Sequence, residues 1–286
     1  MKSLKTYFPH IALGIGIIAL SLSSLFVRWA NAPGPITAFY RMLIASIILF
    51  PFFVKYSITH SFEKKYLILP VIAGLFTASD HALWSVSLQN TRIANATLLN
   101  NIAPLWVALF AFLFWHESRS KRFWAGLFLS LIGAIIVLGS DFIHDPKLSG
   151  GDGLAVISSL FYAGYYLVTQ RSRKHFSTLP HVWIVVIVAS FGLLIWNIFA
   201  GNSFFGYDLT TVLAFFGAAL ISQIVGYFSI SYALGHLPAS VVSPTLIAQP
   251  VLTALLAIPA AGEALMPIQI LGGITVLSGI YLINAY

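Results

Sequence analysis

The 286-residue sequence contains no cysteine, which removes disulfide frameworks and thiolate metal sites from consideration. Charge is nearly as scarce: 8% of residues are Asp, Glu, Lys or Arg, against roughly 25% in a typical soluble domain. A chain so poor in charge is unsuited to a water-facing surface. There is also no H-E-x-x-H zinc helix, no G-x-S-x-G nucleophile elbow and no phosphate-binding loop of the G-x-x-x-x-G-K-[ST] type. An enzyme and a self-contained ATP-driven pump are therefore not expected, and neither is a metal site or a cofactor.

What fills the sequence instead is apolar. Hydrophobic residues make up 59% of it, gathered into runs of about 20 residues, the length that crosses roughly 30 Å of hydrocarbon. Ten such runs stand near 9–29, 35–55, 67–89, 94–115, 122–140, 150–170, 181–200, 209–234, 239–260 and 267–285. The connections are short, leaving no room for a soluble domain. The expected fold is an all-α integral membrane protein, a single membrane domain over 1–286 with the lipid bilayer as its surroundings.

The net charge of +7 invites a nucleic-acid reading that its distribution opposes. With the N-terminus on the cytoplasmic side, that side holds Lys2, Lys5, Lys55, Lys64, Lys65, Arg119, Lys121, Arg122, Arg171, Arg173 and Lys174. The other side holds Arg92 and Lys147, while Arg28 and Arg41 lie within or at the edge of spans. Such asymmetry is the positive-inside pattern and predicts cytoplasmic termini. Lys2, Lys5 and the first apolar run, ending at Ala30-Asn31-Ala32, imitate a cleavable leader. The run is long, Arg28 interrupts its end and Pro33 follows, so it reads as the first span.

The second half repeats the first. A shift of 146 positions carries Pro104 onto Pro250, Glu117 onto Glu263, Gly126 onto Gly272, Gly133 onto Gly279 and Ser85 onto Ser231. Five spans per half is an odd number, so the second copy enters the membrane in the opposite sense. Two inverted five-helix repeats follow, one near 9–140 and the other near 150–285. Halves related in this way suit alternating access to a site between them.

Polar residues inside spans are costly in lipid unless they face a partner or a cavity. The third span carries Asp80 and His81, with Thr77, Asp80, Trp84 and Ser87 at helical spacing; the second carries Arg41 at a similar depth. Three readings stay open: an Arg41–Asp80 bridge that fixes packing, a site for an amine or a proton, or a water-exposed position in the external vestibule. His81 is either a proton-coupling group or a packing histidine with one hydrogen bond. In the fourth span Thr97, Asn101 and Pro104 share a face beside Asn100, and in the ninth Thr245, Gln249 and Thr253 form a stripe beside Pro250. Each proline frees a carbonyl one turn earlier, so these amides read as solute contacts or as interhelical glue at a kink. Tyr162, Tyr166 and Thr169 make a stripe on the sixth span, and Gln223 and Tyr227 lie a turn apart on the eighth. Trp84 and Tyr227 lie deeper, so the interfacial-anchor reading fits them less well. The substrate-binding candidates are Trp84, Asn101, Tyr227, Gln249 and Tyr166; those for charge recognition or proton coupling are Asp80, His81 and Arg41. Gly126, Ser130 and Gly133, with Gly272 and Gly279, form small faces that suit close packing within the bundle or in a homodimer.

The segment from Asn95 to Gly139, with Pro104, the Glu117 turn, Gly126 and Gly133, resembles the half-repeat of the drug/metabolite transporter superfamily, EamA type, and 239–280 resembles it again. The resemblance implies secondary transport, commonly export of amino acids or related small metabolites across a bacterial inner membrane, through a cavity lined by the first, third, fourth, sixth, eighth and ninth spans. A passive facilitator on the same fold and an importer of a metabolite or cationic compound are the alternatives. Asn100, Asn101, Asp80 and His81 are not part of the family pattern, so their roles rest on chemistry alone.

Overall fold

A computed structural model describes residues 2–91, 93–116, 119–138, 149–261 and 267–284, and their regular structure is helical throughout. In chain order the helices are α1 (Lys2–Ser21), α2 (Ser23–Trp29), α3 (Gly34–Thr59), α4 (Ile68–Asn90), α5 (Ile93–Asn100), α6 (Ala103–Trp115) and α7 (Lys121–Leu138). They continue as α8 (Gly150–Ser172), α9 (Thr178–Phe199), α10 (Leu209–Gly217), a π-helical segment (Ala218–Tyr227) and α11 (Phe228–Leu234). The last are α12 (Ala239–Thr245), α13 (Ala248–Ala261) and α14 (Pro267–Asn284). Among the described residues, eight stretches are long and apolar enough to cross a membrane. Glu117, Glu263, Arg92 and Lys147 lie outside the described residues.

The apolar runs fall on helices, but three of the expected continuous spans are interrupted. Pro104 stands in the first turn of α6, where its missing N–H leaves no bond unmade. The helix before it ends at Asn100, and Asn101 turns its amide back onto the Thr97 carbonyl at 2.8 Å. Pro250 occupies the matching place in the first turn of α13, after α12 ends at Thr245. The shift of 146 thus superposes the interruptions as well as the prolines. The break between α1 and α2 contains no proline; there Ser21 Oγ donates to the Ile17 carbonyl at 2.8 Å, a back-bond that bends helices.

Helices α7 and α14 cross with their backbones almost touching. A β-carbon on Gly126 would stand 2.6 Å from the Gly279 carbonyl, and one on Gly133 would stand 2.8 Å from that of Gly272. Since Gly126 matches Gly272 and Gly133 matches Gly279, exchanging the two helices reproduces the same pair of contacts, as at an isologous interface. Ser130 Oγ donates to the Val276 carbonyl at 3.4 Å, 146 positions away.

Helices α4 and α8 form a second close pair. Ser149 and Asp152 cap α8 reciprocally, with Ser149 N donating to Asp152 Oδ2 at 2.6 Å and Asp152 N to Ser149 Oγ at 3.4 Å. Thr91 Oγ1 donates to Asp152 Oδ1 at 2.6 Å, tying the end of α4 to the start of α8. Gly151 lies against the Asn90 carbonyl, where no β-carbon fits. This join sets the register that carries Asp80 to Ser158, two turns further in. On the outside of the bundle, Phe50, Phe128, Phe191, Leu213 and Leu277 are exposed, the inside-out pattern of a surface that meets hydrocarbon rather than water.

Candidate functional site

Five elements, α2, α3, α4, α5 and α8, meet the π-helical segment around one group of polar side chains. Arg41, two turns into α3, is 7% exposed, yet each arm of its guanidinium has a partner. Nε donates to Gln223 Oε1 at 3.0 Å, Nη1 donates to Ser23 Oγ at 3.2 Å, and Nη2 lies 3.2 Å from His81 Nε2. The Arg41 Cζ also stands 5.4 Å from the centre of the Tyr227 ring, within cation–π range.

Arginine donates and never accepts. His81 Nε2 must therefore be the acceptor in its contact with Arg41, which assigns the ring proton to Nδ1. That nitrogen faces Asp80 Oδ2 at 3.9 Å. The other carboxylate oxygen, Asp80 Oδ1, accepts from Ser158 Oγ at 2.6 Å and from Asn100 Nδ2 at 3.1 Å. Asn100 Nδ2 also reaches Ser158 Oγ at 2.8 Å, so the three side chains form a closed triangle. Guanidinium, imidazole and carboxyl group stand in a row, with the neutral ring in the middle. The direct Arg41–Asp80 bridge weighed from the sequence is not what these side chains make: His81 stands between them. In a low-dielectric interior such a hydrogen-bonded set is tolerable where an unpartnered charge is not.

Of the residues singled out in the sequence, Arg41, Asp80, His81 and Tyr227 come together here. Tyr166 joins them at one remove: its ring is 5.4 Å from that of Tyr165, which is 5.7 Å from that of Tyr227. Trp84, one turn beyond Asp80 on α4, is half-buried. Asn101 and Gln249 are not drawn into the group by any described hydrogen bond. Asn101, in the break, bonds back to the Thr97 carbonyl of α5, and Gln249 meets Ser21 through its backbone carbonyl at 3.4 Å. The amides at the centre are instead Asn100 and Gln223, and Ser158 and Ser23 complete the set. Among the described residues, no three His, Asp or Glu side chains gather as metal ligands would.

The model of the EamA-like transporter family matches the chain twice, over residues 9–139 and 149–285. This chain belongs to that family. The match covers nearly the whole sequence, one copy in each half, and makes the protein a multi-pass membrane transporter of the drug/metabolite type. An uncharacterized transporter of Archaeoglobus fulgidus is 26% identical over 285 residues, covering 96% of this chain and 97% of its own. The uncharacterized transporter YdfC of Bacillus subtilis is 24% identical over 282 residues, 98% of this chain and 90% of its own. An S-adenosylmethionine uptake transporter of Rickettsia bellii is 26% identical over 143 residues, 48% of this chain and 47% of its own. One crystal structure superposes with a TM-score of 0.81 over 96% of both chains at 16% identity, a likeness of fold.

Proposed function

We propose that this EamA-family transporter is a ten-span secondary carrier built from two inverted repeats, near 9–140 and 150–285, that exports small polar metabolites such as amino acids or related amines. It works by alternating access across a bacterial inner membrane, with both termini cytoplasmic. The observation that carries the reading is the composition of the buried polar group. Arg41, Asp80, His81 and Asn100 come from the first half, while Ser158, Gln223 and Tyr227 come from the second. A rocking motion of one half against the other must remake these bonds, which is what coupling a solute to a conformational change requires. The crossed contact of α7 with α14 supports the inverted arrangement, because each contact maps onto the other when the halves are exchanged.

Within this reading, Asp80 receives the solute's amine or the coupling proton and Arg41 supplies the fixed positive charge. His81 holds the two in register. Tyr227 and Trp84 offer aromatic surface, and Tyr166 backs Tyr227 through Tyr165. Asn101 and Gln249 stand at the paired helix breaks, where the ladder of backbone bonds is interrupted and a solute can be met by polar groups from both halves. Uptake of a cationic metabolite is the second reading, favoured by the partial match to the Rickettsia bellii uptake transporter.

The test compares metabolites released by cells producing the native chain with those released by cells producing Asp80→Asn, at matched membrane abundance. A compound enriched outside only with the native chain supports export. Enrichment inside, lost in the variant, supports uptake instead. No difference in either direction overturns the assignment of Asp80.

A further inference from the structure

Two connections, one in each half, close onto the opposite half, and each does so with one phenylalanine. The segment 200–208, between α9 and α10, lays Phe204 edge-on against Phe39 of α3, with ring centres 5.4 Å apart. The hydroxyl of Tyr40, next in the chain, donates to the Phe204 backbone carbonyl. The Tyr40 ring is in turn stacked on Phe215 of α10, at 4.8 Å and 12°. Phe205 points the other way and is 85% exposed. Both ends of the segment are fastened. Asn202 Nδ2 donates to Asn197 Oδ1 at 2.8 Å, and Asp208 Oδ1 accepts from Thr211 N at 2.9 Å. Gly201 and Gly206 flank the inserted ring with φ of +68° and +93°, and nothing lies within 4 Å of either added β-carbon. Such backbone favours glycine, and free space around it suits a pivot.

The segment 60–67, between α3 and α4, makes the corresponding closure at the far end of α3. Phe62 lies 6.3 Å from Phe53 of α3 and 5.9 Å from Phe176, just before α9. Phe53 is stacked on Trp183 of α9 at 3.9 Å and 12°, and Tyr66 on His175 at 3.5 Å and 16°. Aromatic pairs at these separations attract one another beyond the area they bury. Along α3, Phe39 and Phe53 are separated by about 20 Å at helical rise, so the two clusters stand at opposite ends of that helix. Each cluster joins residues of the first half to residues of the second. Arg41 lies between them along α3, and its partner Gln223 follows Phe215 in the same span.

We infer that the segments 200–208 and 60–67 are reciprocal latches, with Phe204 closing one end of the polar row and Phe62 the other. The inference rests on the alternating-access reading above, whose orientation puts the Phe204 latch outside and the Phe62 latch at the cytoplasmic side. Both latches are made in this structure, and Arg41 and Asp80 are at most 7% exposed. Parting the outer one requires Phe204 to leave Phe39 and Tyr40, with Gly201 and Gly206 as pivots. Parting the inner one requires Phe62 to leave Phe176. Were both to part together, the row would be open to both sides and the protein would leak. Reciprocity is therefore what makes a carrier of this bundle rather than a pore.

The experiment measures distances between spin labels by double electron–electron resonance, on the full chain in lipid nanodiscs. The absence of native cysteine makes labelling site-specific. Gln89→Cys with Thr210→Cys reports the outer ends of α4 and α10, and Ile68→Cys with His236→Cys reports the opposite ends of the same two spans. All four positions are exposed and none lies in a latch. Phe204→Ala is expected to add a longer component to the Gln89–Thr210 distance and none to the Ile68–His236 distance. Phe62→Ala is expected to do the reverse. Tyr40→Phe keeps the ring and removes only the bond to the Phe204 carbonyl, so it should enlarge the outer long component about 2- to 10-fold, the scale of one hydrogen bond. Both distances lengthening in either alanine variant, or neither lengthening in all three variants, overturns the inference. The distances need neither solute nor gradient, so a chain that exports nothing yet shows these opposed shifts keeps its latches and loses only the export reading.

Discussion

His81 Nε2 and Arg41 Nη2 stand 3.2 Å apart, and because only one of the two can accept a hydrogen bond, the imidazole faces the guanidinium as a neutral ring. Its remaining proton points along the row toward Asp80. A histidine held in this way keeps the guanidinium and the carboxyl group on opposite edges of one ring.

The first prediction separates orientation from proton carriage. Gln at position 81 can accept from Arg41 through its oxygen and present an N–H toward Asp80, so His81→Gln keeps uphill transport within about tenfold of native, the scale of one disturbed hydrogen bond. His81→Ala, which does neither, loses more than His81→Gln. Asp80→Asn abolishes accumulation against a gradient yet keeps solute counterflow. Proteoliposomes with an imposed pH gradient measure all three. Loss of coupling in His81→Gln equal to that of Asp80→Asn would return the proton to the histidine.

Arg41 is the anchor of the row, and its removal leaves Gln223, Ser23 and His81 each without a donor. Arg41→Ala should therefore destabilise the protein by about 3–5 kcal/mol, the range for breaking a buried charge set from one side. Arg41→Lys should recover only part of this, since an ammonium cannot present the three-sided fork of a guanidinium. Thermal unfolding in detergent checks both, and equal stability of the Lys variant and the native chain would refute the assignment of three simultaneous bonds.

The α7–α14 crossing predicts a sharp positional contrast. Gly279→Val puts side-chain atoms where Gly126 and Ser130 already stand and should cost about 1–3 kcal/mol or more by overpacking. Gly153→Ala, in the first turn of α8 with nothing within 4 Å of its β-carbon, should be neutral or stabilising by a few tenths of a kcal/mol up to about 1. Unfolding midpoints of the two variants, measured side by side, decide it.

Outside the membrane-spanning segments, Asp208 caps α10 by accepting from Thr211 N at 2.9 Å. Hydrogen bonds from Thr211 hold its carboxyl below the ordinary value of 3.8. A depressed carboxyl contributes its stability fully above the unfolded value and loses it as pH falls through the folded one. The difference in Tm between the native chain and Asp208→Ala should therefore be present at neutral pH and close below about pH 3.8. A difference that persists unchanged to lower pH would mean that packing, not the carboxylate, carries the effect.

The helices were legible because lipid demands long apolar runs, and each run is read without knowing what it packs against. The charged members of the site were legible for the converse reason: Arg41, Asp80 and His81 are conspicuous among apolar neighbours. The amides were not. Asn100 and Asn101 are adjacent and differ by about 100° around the helix, and a span that is apolar on all sides offers no amphipathic phase to say which faces a partner. Gln223 and Gln249 posed the same choice, made harder by the π-helical pitch around Gln223. The breaks at Pro104 and Pro250 carry their sign in the sequence, whereas the one at Leu22 follows from a serine back-bond that resembles any other serine in a membrane helix.

Between Leu209 and Leu234 the chain changes from α pitch to π pitch for ten residues and then changes back. A π turn is in effect one surplus residue held inside a helix, so this span carries slack that its neighbours lack. Drawing the segment tight to α pitch would swing Gln223 by a large part of a turn away from Arg41, with the helix intact on either side and no covalent change. Register, rather than side-chain rotation, then becomes the coordinate along which the buried arginine gains or loses its partner.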